Sequence, residues 1–142
     1  VETPTDRPAL DTTALATLAA GYPSVALVVV FGSQVTGKAR PDSDVDVGIL
    51  GGGFWDQLAI GTTIGSQLNG EPHVVDLGTA GEWLRFQVAR DGVLVYQRTS
   101  DAWVGFKARA MIGYWDVAPL IALTAEGVRR RLRREAEGPI RG

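Results

Sequence analysis

Seven consecutive apolar residues, Val25 to Phe31, constrain the chain more than any other stretch. The run VALVVVF is short and β-branched, and no polar residue interrupts either side of its pleat, which suits a central strand covered on both faces. A strand of that kind needs helical layers above and below it. The expected fold class is therefore α/β (α+β), a small mixed sheet with flanking helices. With 142 residues the chain is long enough for one domain with a real core, residues 1–142, and too short for two of ordinary size.

The flanking sequence supplies the helices. Asp11 can cap a helix through about Ala20, closed by Gly21 and Pro23. Gly32 and Ser33 end the apolar run, and a loop rich in Gly, Lys, Arg and Pro leads to Ser43. From Asp44 to Leu50 acid and apolar residues alternate, so Asp44, Asp46 and Gly48 share one face of a strand and Val45, Val47 and Ile49 the other. Gly51 to Gly53 read as a turn. Phe54 to Leu68 has helical spacing, weakened by Gly61 and Gly65. A third strand is expected over Val74 to Leu77, carrying Asp76, then a helix over Glu82 to Arg90 and a fourth strand over Val93 to Gln97. A helical pattern runs from Asp101 toward Arg134, with Pro119 as an expected kink or break. The core spans about 23–98, between an N-terminal helix (about 11–21) and a C-terminal helical segment (about 100–136). Trp55, Trp83, Trp103 and Trp115 read more as core-filling than as base-stacking residues, and His73, the one histidine, as a surface or strand-end residue to which no role is assigned.

Composition narrows the function. With no cysteine, disulfide frameworks and cysteine-ligated zinc or iron–sulfur sites are excluded, and a cytoplasmic location fits. No apolar run approaches the length of a membrane span. The net charge of −2 hides an asymmetry: Arg129, Arg130, Arg131, Arg133, Arg134 and Arg141 crowd the last fourteen residues of an otherwise acidic chain. Direct nucleic-acid binding is not expected beyond a local phosphate or acidic contact at that arginine-rich end.

The chemistry is concentrated in the acids. Asp44 and Asp46 project from one strand face with carboxylates about 6–7 Å apart, and two like charges so placed call for a cation between them. An all-oxygen donor set selects Mg²⁺ or Mn²⁺ over zinc. Asp76, between Val75 and Leu77, repeats the pattern of an acid on an apolar strand. Three such acids converging on one face could hold two metal ions for in-line displacement at phosphorus. The backbone at Gly32 and the Ser33 hydroxyl stand ready to bond a triphosphate opposite them.

The stretch FGSQVTGKARPDSDVDVGIL resembles the signature of the DNA polymerase β-type nucleotidyltransferases: Gly-Ser, ten residues, Asp-x-Asp, and a third Asp in a later strand. VVDLG and GVLVYQR extend the likeness to about Val25–Arg98, and YWDVAPL resembles the C-terminal helix of the minimal members. The resemblance implies that Asp44 and Asp46 bind two Mg²⁺ ions, that Asp76 binds the catalytic one and helps deprotonate the acceptor hydroxyl, and that Gly32 and Ser33 contact the phosphates of ATP. Lys38 and Arg40 are further nucleotide-binding candidates. Gln34, Val35 and Thr36 depart from the arginine many relatives carry after Gly-Ser.

Minimal members resemble the antitoxin half of a two-protein module, in which AMP from ATP is placed on a tyrosine of a HEPN-type ribonuclease toxin. The resemblance thus implies a heteromeric complex with such a toxin. Nucleotidyl transfer to tRNA or a small molecule, and neutralisation of a partner by contact alone, stay open as alternatives.

Overall fold

The computed structural model describes residues 11–32 and 44–137. Four strands, β1 (Val25–Phe31), β2 (Val45–Gly51), β3 (Pro72–Asp76) and β4 (Val93–Gln97), form one mixed sheet in the order β3-β2-β1-β4. β1 runs antiparallel to both β2 and β4, and β2 runs parallel to β3. The helices are α1 (Thr12–Ala20), α2 (Phe54–Leu68), α3 (Glu82–Asp91) and α4 (Ala102–Glu137).

The apolar run becomes the inner strand its composition demands. Val28 and Val30 pack with Leu15 of α1 and Ile60 and Ile64 of α2, while Leu27, Val29 and Phe31 pack with Val88 of α3 and Phe106 and Ala110 of α4. Neighbouring positions of β1 thus feed two separate cores, as a strand covered on both faces must. On β2 the alternation holds: Val45, Val47 and Ile49 are fully buried in the first core.

Local chemistry sets the helix ends. The Asp11 carboxylate accepts from Ala14 N–H at 3.0 Å and caps α1, and Asp56 accepts from Gly53 N–H at 3.3 Å at the start of α2. Gly51 and Gly52 make the expected turn at positive φ. Gly61 and Gly65, the weak points of the α2 pattern, face β3: a Cβ on Gly61 would strike Val74, and one on Gly65 the Gly70 carbonyl. Their cost in helix propensity is offset by close helix–strand packing.

Two expectations are corrected. β3 occupies Pro72–Asp76 rather than Val74–Leu77, because as an edge strand it tolerates Pro72, while Glu71 O still accepts from Val45 N–H at 2.8 Å. Leu77 lies just past the strand, fully buried against Gly48. α4 is a single helix that continues through Pro119 without a break. The proline there leaves the Trp115 carbonyl without its helical donor, and its surroundings are exposed, so tertiary packing does little to compensate. Pro119→Ala is expected to strengthen this part of α4 by up to about 3 kcal/mol, read as slower amide hydrogen exchange over Trp115 to Leu123. Unchanged exchange there would show that the proline does not limit the helix.

Candidate active site

The site begins where β1 ends. Antiparallel pairing sets Phe31 opposite Asp46, so the next residue, Gly32, is carried against the Asp46 side chain. Gly32 has φ +84°, and a Cβ there would overlap the Asp46 carboxylate. Only glycine satisfies both conditions, which explains why this residue ends the strand. Asp44 immediately precedes β2 and is exposed; in an extended chain it lies one repeat before Asp46 on the same side.

A cavity of about 220 Å³ opens beside this corner, lined by Phe31, Gly32, Asp46, Gln87 and Asp91. Gln87 and Asp91 come from α3, which covers the same face of the sheet. Asp91 brings no free charge of its own: Arg90 donates through Nε and Nη2 to its two oxygens at 3.0 and 2.8 Å. That hydrogen-bonded guanidinium holds the Asp91 carboxyl below its ordinary range.

The parallel β2–β3 register decides which β3 residue joins Asp46. It pairs Asp46 with His73 and Ile49 with Asp76. Paired residues point to the same side, so His73 shares the Asp46 face and Asp76 shares the Ile49 face, three residues or about 10 Å further along and on the other side of the sheet. The expectation that Asp44, Asp46 and Asp76 converge is therefore corrected for Asp76. Its Oδ1 accepts from Gly78 N–H at 3.0 Å and from Gln57 Nε2 at 3.4 Å, and Thr79 Oγ1 reaches Oδ2 at 3.4 Å. These are the bonds of an Asx turn closing the strand. Gln57 is itself buried and also donates to Gly51 O at 3.1 Å, so Asp76 ties the β3 turn to the glycine turn.

His73 takes the place beside the carboxylate. Its Nδ1 lies 3.1 Å from Asp46 Oδ1, with the imidazole 66% exposed and the Asp46 side chain 25% exposed. Sequence reasoning missed it, because the spacing His73-x-x-Asp76 guarantees opposite faces without telling which face is occupied. Ser33, Lys38 and Arg40 lie outside the described residues.

Among the described residues no three His, Cys, Asp or Glu side chains converge as a complete metal cage. A Mg²⁺ ion can be held by one or two carboxylates together with substrate phosphates and water. Asp44 and Asp46 could serve as such carboxylates.

The family described as polymerase beta, nucleotidyltransferase matches residues 14–101, more than half of the chain. The chain belongs to the polymerase β nucleotidyltransferase family. Among solved structures, this nucleotidyltransferase is similar to a chain of a toxin–antitoxin complex with AMP-PNP, at 20% identity and TM-score 0.68 over 84% of this chain and 99% of that one. It is also similar to a chain of the MntA–HepT toxin–antitoxin, at 17% identity and TM-score 0.63 over 83% and 96% of the two. A chain of the complex of a tri-AMPylated Shewanella oneidensis HEPN toxin with its MNT antitoxin matches at 19% identity and TM-score 0.63, over 83% and 95%. At these identities the likeness is one of fold. No curated protein matches the sequence.

Gly32→Ala is expected to cost about 1–3 kcal/mol through the positive φ alone and to displace the Asp46 carboxylate; chemical denaturation and nucleotide titration measure the two effects. Asp76→Ala should lower stability by about 1–3 kcal/mol, because buried Gln57 loses an acceptor and the turn loses its clamp, yet leave Mg²⁺–ATP binding unchanged. Loss of Mg²⁺–ATP binding in a folded Asp76→Ala protein would return Asp76 to the metal site.

Proposed function

We propose that this nucleotidyltransferase moves AMP from ATP to a protein acceptor, a tyrosine of a HEPN-type toxin, and acts as the antitoxin of that pair. The observation that carries the reading is the corner where Gly32 meets Asp46 at the mouth of a cavity. At about 220 Å³ the cavity is smaller than the about 300–1,000 Å³ of ordinary small-molecule pockets, so it suits the phosphate end of ATP with the remainder of the nucleotide outside.

In this reading Asp44 and Asp46 hold Mg²⁺ against the triphosphate. A bound metal would supply charge neutralisation for an in-line displacement, in which the acceptor oxygen would bond to the α-phosphorus as pyrophosphate leaves and the hydroxyl proton passes to solvent. The main chain at Gly32 and the Ser33 hydroxyl contact the phosphates, with Lys38 and Arg40 adding charge. Gly32 keeps the Asp46 carboxylate at the lip of the cavity, where the reacting phosphate would sit.

A protein acceptor is supported by the outer part of α4, where Ile112, Trp115, Leu120, Leu123 and Leu132 are all exposed. Large apolar residues gathered on one projecting helix are characteristic of surfaces that meet another macromolecule. All three similar solved structures are toxin–antitoxin complexes, and one of them holds an AMPylated HEPN toxin.

Co-expression with a HEPN-type toxin, followed by intact-mass measurement, tests the whole reading. Addition of AMP to the toxin is expected with the parent, and a drop of about 10²-fold or more in transfer rate with Asp44→Ala or Asp46→Ala. An unmodified toxin that is nonetheless neutralised would replace transfer by contact alone. In thermal melts, Mg²⁺–ATP at about 100 times its Kd should stabilise the parent by about 2.7 kcal/mol, and Asp46→Asn much less.

A further inference from the structure

We propose that His73 is itself a ligand of the divalent cation, occupying the position where a third carboxylate was expected, and that the site therefore prefers Mn²⁺ to Mg²⁺. This rests on the nucleotidyltransferase reading and specifies the metal its site takes. Three observations lead to it. The register sets His73 directly beside Asp46 on the same face of the sheet, with Asp76 on the other. The imidazole is 66% exposed, so it is not held there as a core residue. Its Nδ1 stands 3.1 Å from Asp46 Oδ1. Two neighbouring corners of an octahedral ion with bonds of about 2.1 Å are separated by about 3.0 Å. The two atoms thus already have the spacing of adjacent ligands, and little movement is needed to admit an ion between them and the phosphates.

The donor type sets the preference. Mg²⁺ is a hard cation that favours carboxylate, phosphate and water oxygens, whereas an imidazole nitrogen raises affinity for first-row transition ions relative to it. With Asp46 and His73 as one oxygen and one nitrogen donor, the site departs from the all-oxygen set read in the sequence. The other possibility is that His73 only orients Asp46 through a hydrogen bond, which would leave the metal preference to the carboxylates.

Pulsed electron paramagnetic resonance of Mn²⁺ bound to the full chain with inorganic triphosphate separates the two, since that ligand carries no nitrogen. The expected result is a ¹⁴N coupling from a directly bound imidazole in the parent and its absence in His73→Gln, a variant that can keep a hydrogen bond to Asp46. In parallel metal titrations with triphosphate, His73→Asp should lower the Mn²⁺ to Mg²⁺ affinity ratio by at least the about tenfold that loss of even an outer-shell partner costs. Bound Mn²⁺ that shows no ¹⁴N coupling, or an unchanged ratio in His73→Asp, would overturn the ligand assignment and leave the nucleotidyltransferase reading intact. If the parent binds neither cation with triphosphate, or binds both equally well as Asp46→Ala, the reading of the site falls and the ligand assignment falls with it.

Discussion

The antiparallel pairing of β1 with β2 is the constraint on which the other features rest. Its ladder runs from Leu27 opposite Leu50 to Phe31 opposite Asp46. Along most of that length the residues are fully buried, Val28, Val29 and Val30 on one strand and Val47 and Ile49 on the other. A one-residue slip would turn Val47 and Ile49 out of their core and Asp46 into it, so the register is fixed by hydrophobic burial at every step. The same register delivers Asp46 to Gly32 at the open end. The acid is thus positioned by apolar residues that take no part in its chemistry.

The sheet separates structural from chemical duties by face. On the side of α1 and α2, buried Gln57 links the glycine turn that closes β2 to Asp76 at the end of β3, and the polar groups there bond one another. On the side of α3 and α4, Gly32, Asp46, Gln87 and Asp91 surround a cavity, and the Asp46 carboxylate is left for other partners. Acids of the same chain therefore end with different roles. Asp76 is engaged by backbone and amide donors, Asp91 by Arg90, and Asp46 by an exposed histidine alone among the described side chains. Of the three, Asp46 alone lines the cavity without a guanidinium or backbone N–H donor on its carboxylate, which suits the role proposed for it.

α4 extends this division outward. Its first turns bury Phe106 and Ala110 against β1 and α3, whereas Trp115, Leu120 and Leu123 further along are exposed. The reading of the tryptophans as core residues fails for three of four, Trp55 on α2, Trp83 on α3 and Trp115 on α4, which are 75%, 47% and 66% exposed, whereas Trp103 packs against the core. Side-chain type records an affinity for apolar surroundings but not whether the helix still has the sheet beneath it at that point. Past Pro119 it does not, and Leu120, Leu123 and Leu132 are exposed there.

Much of this protein was legible from sequence because it depends on short-range periodicity. The unbroken apolar run of β1, the alternation of β2 and the caps of α1 and α2 are each set by neighbours within a few residues, and the Gly-Ser to Asp-x-Asp spacing is a signature readable from the sequence alone. Which β3 residue stands beside Asp46 was of another kind. Strand alternation puts His73 and Asp76 on opposite faces, but it assigns neither to the Asp46 side; that follows from the parallel alignment of β2 with β3 across the whole of α2, fixed by Val74 under Gly61 and by Leu77 under Gly48. Sequence alone determined that an acid pair would sit at the end of a buried strand. Only tertiary packing, which sums many distant apolar contacts into one register, decided that His73 and not Asp76 stands beside Asp46.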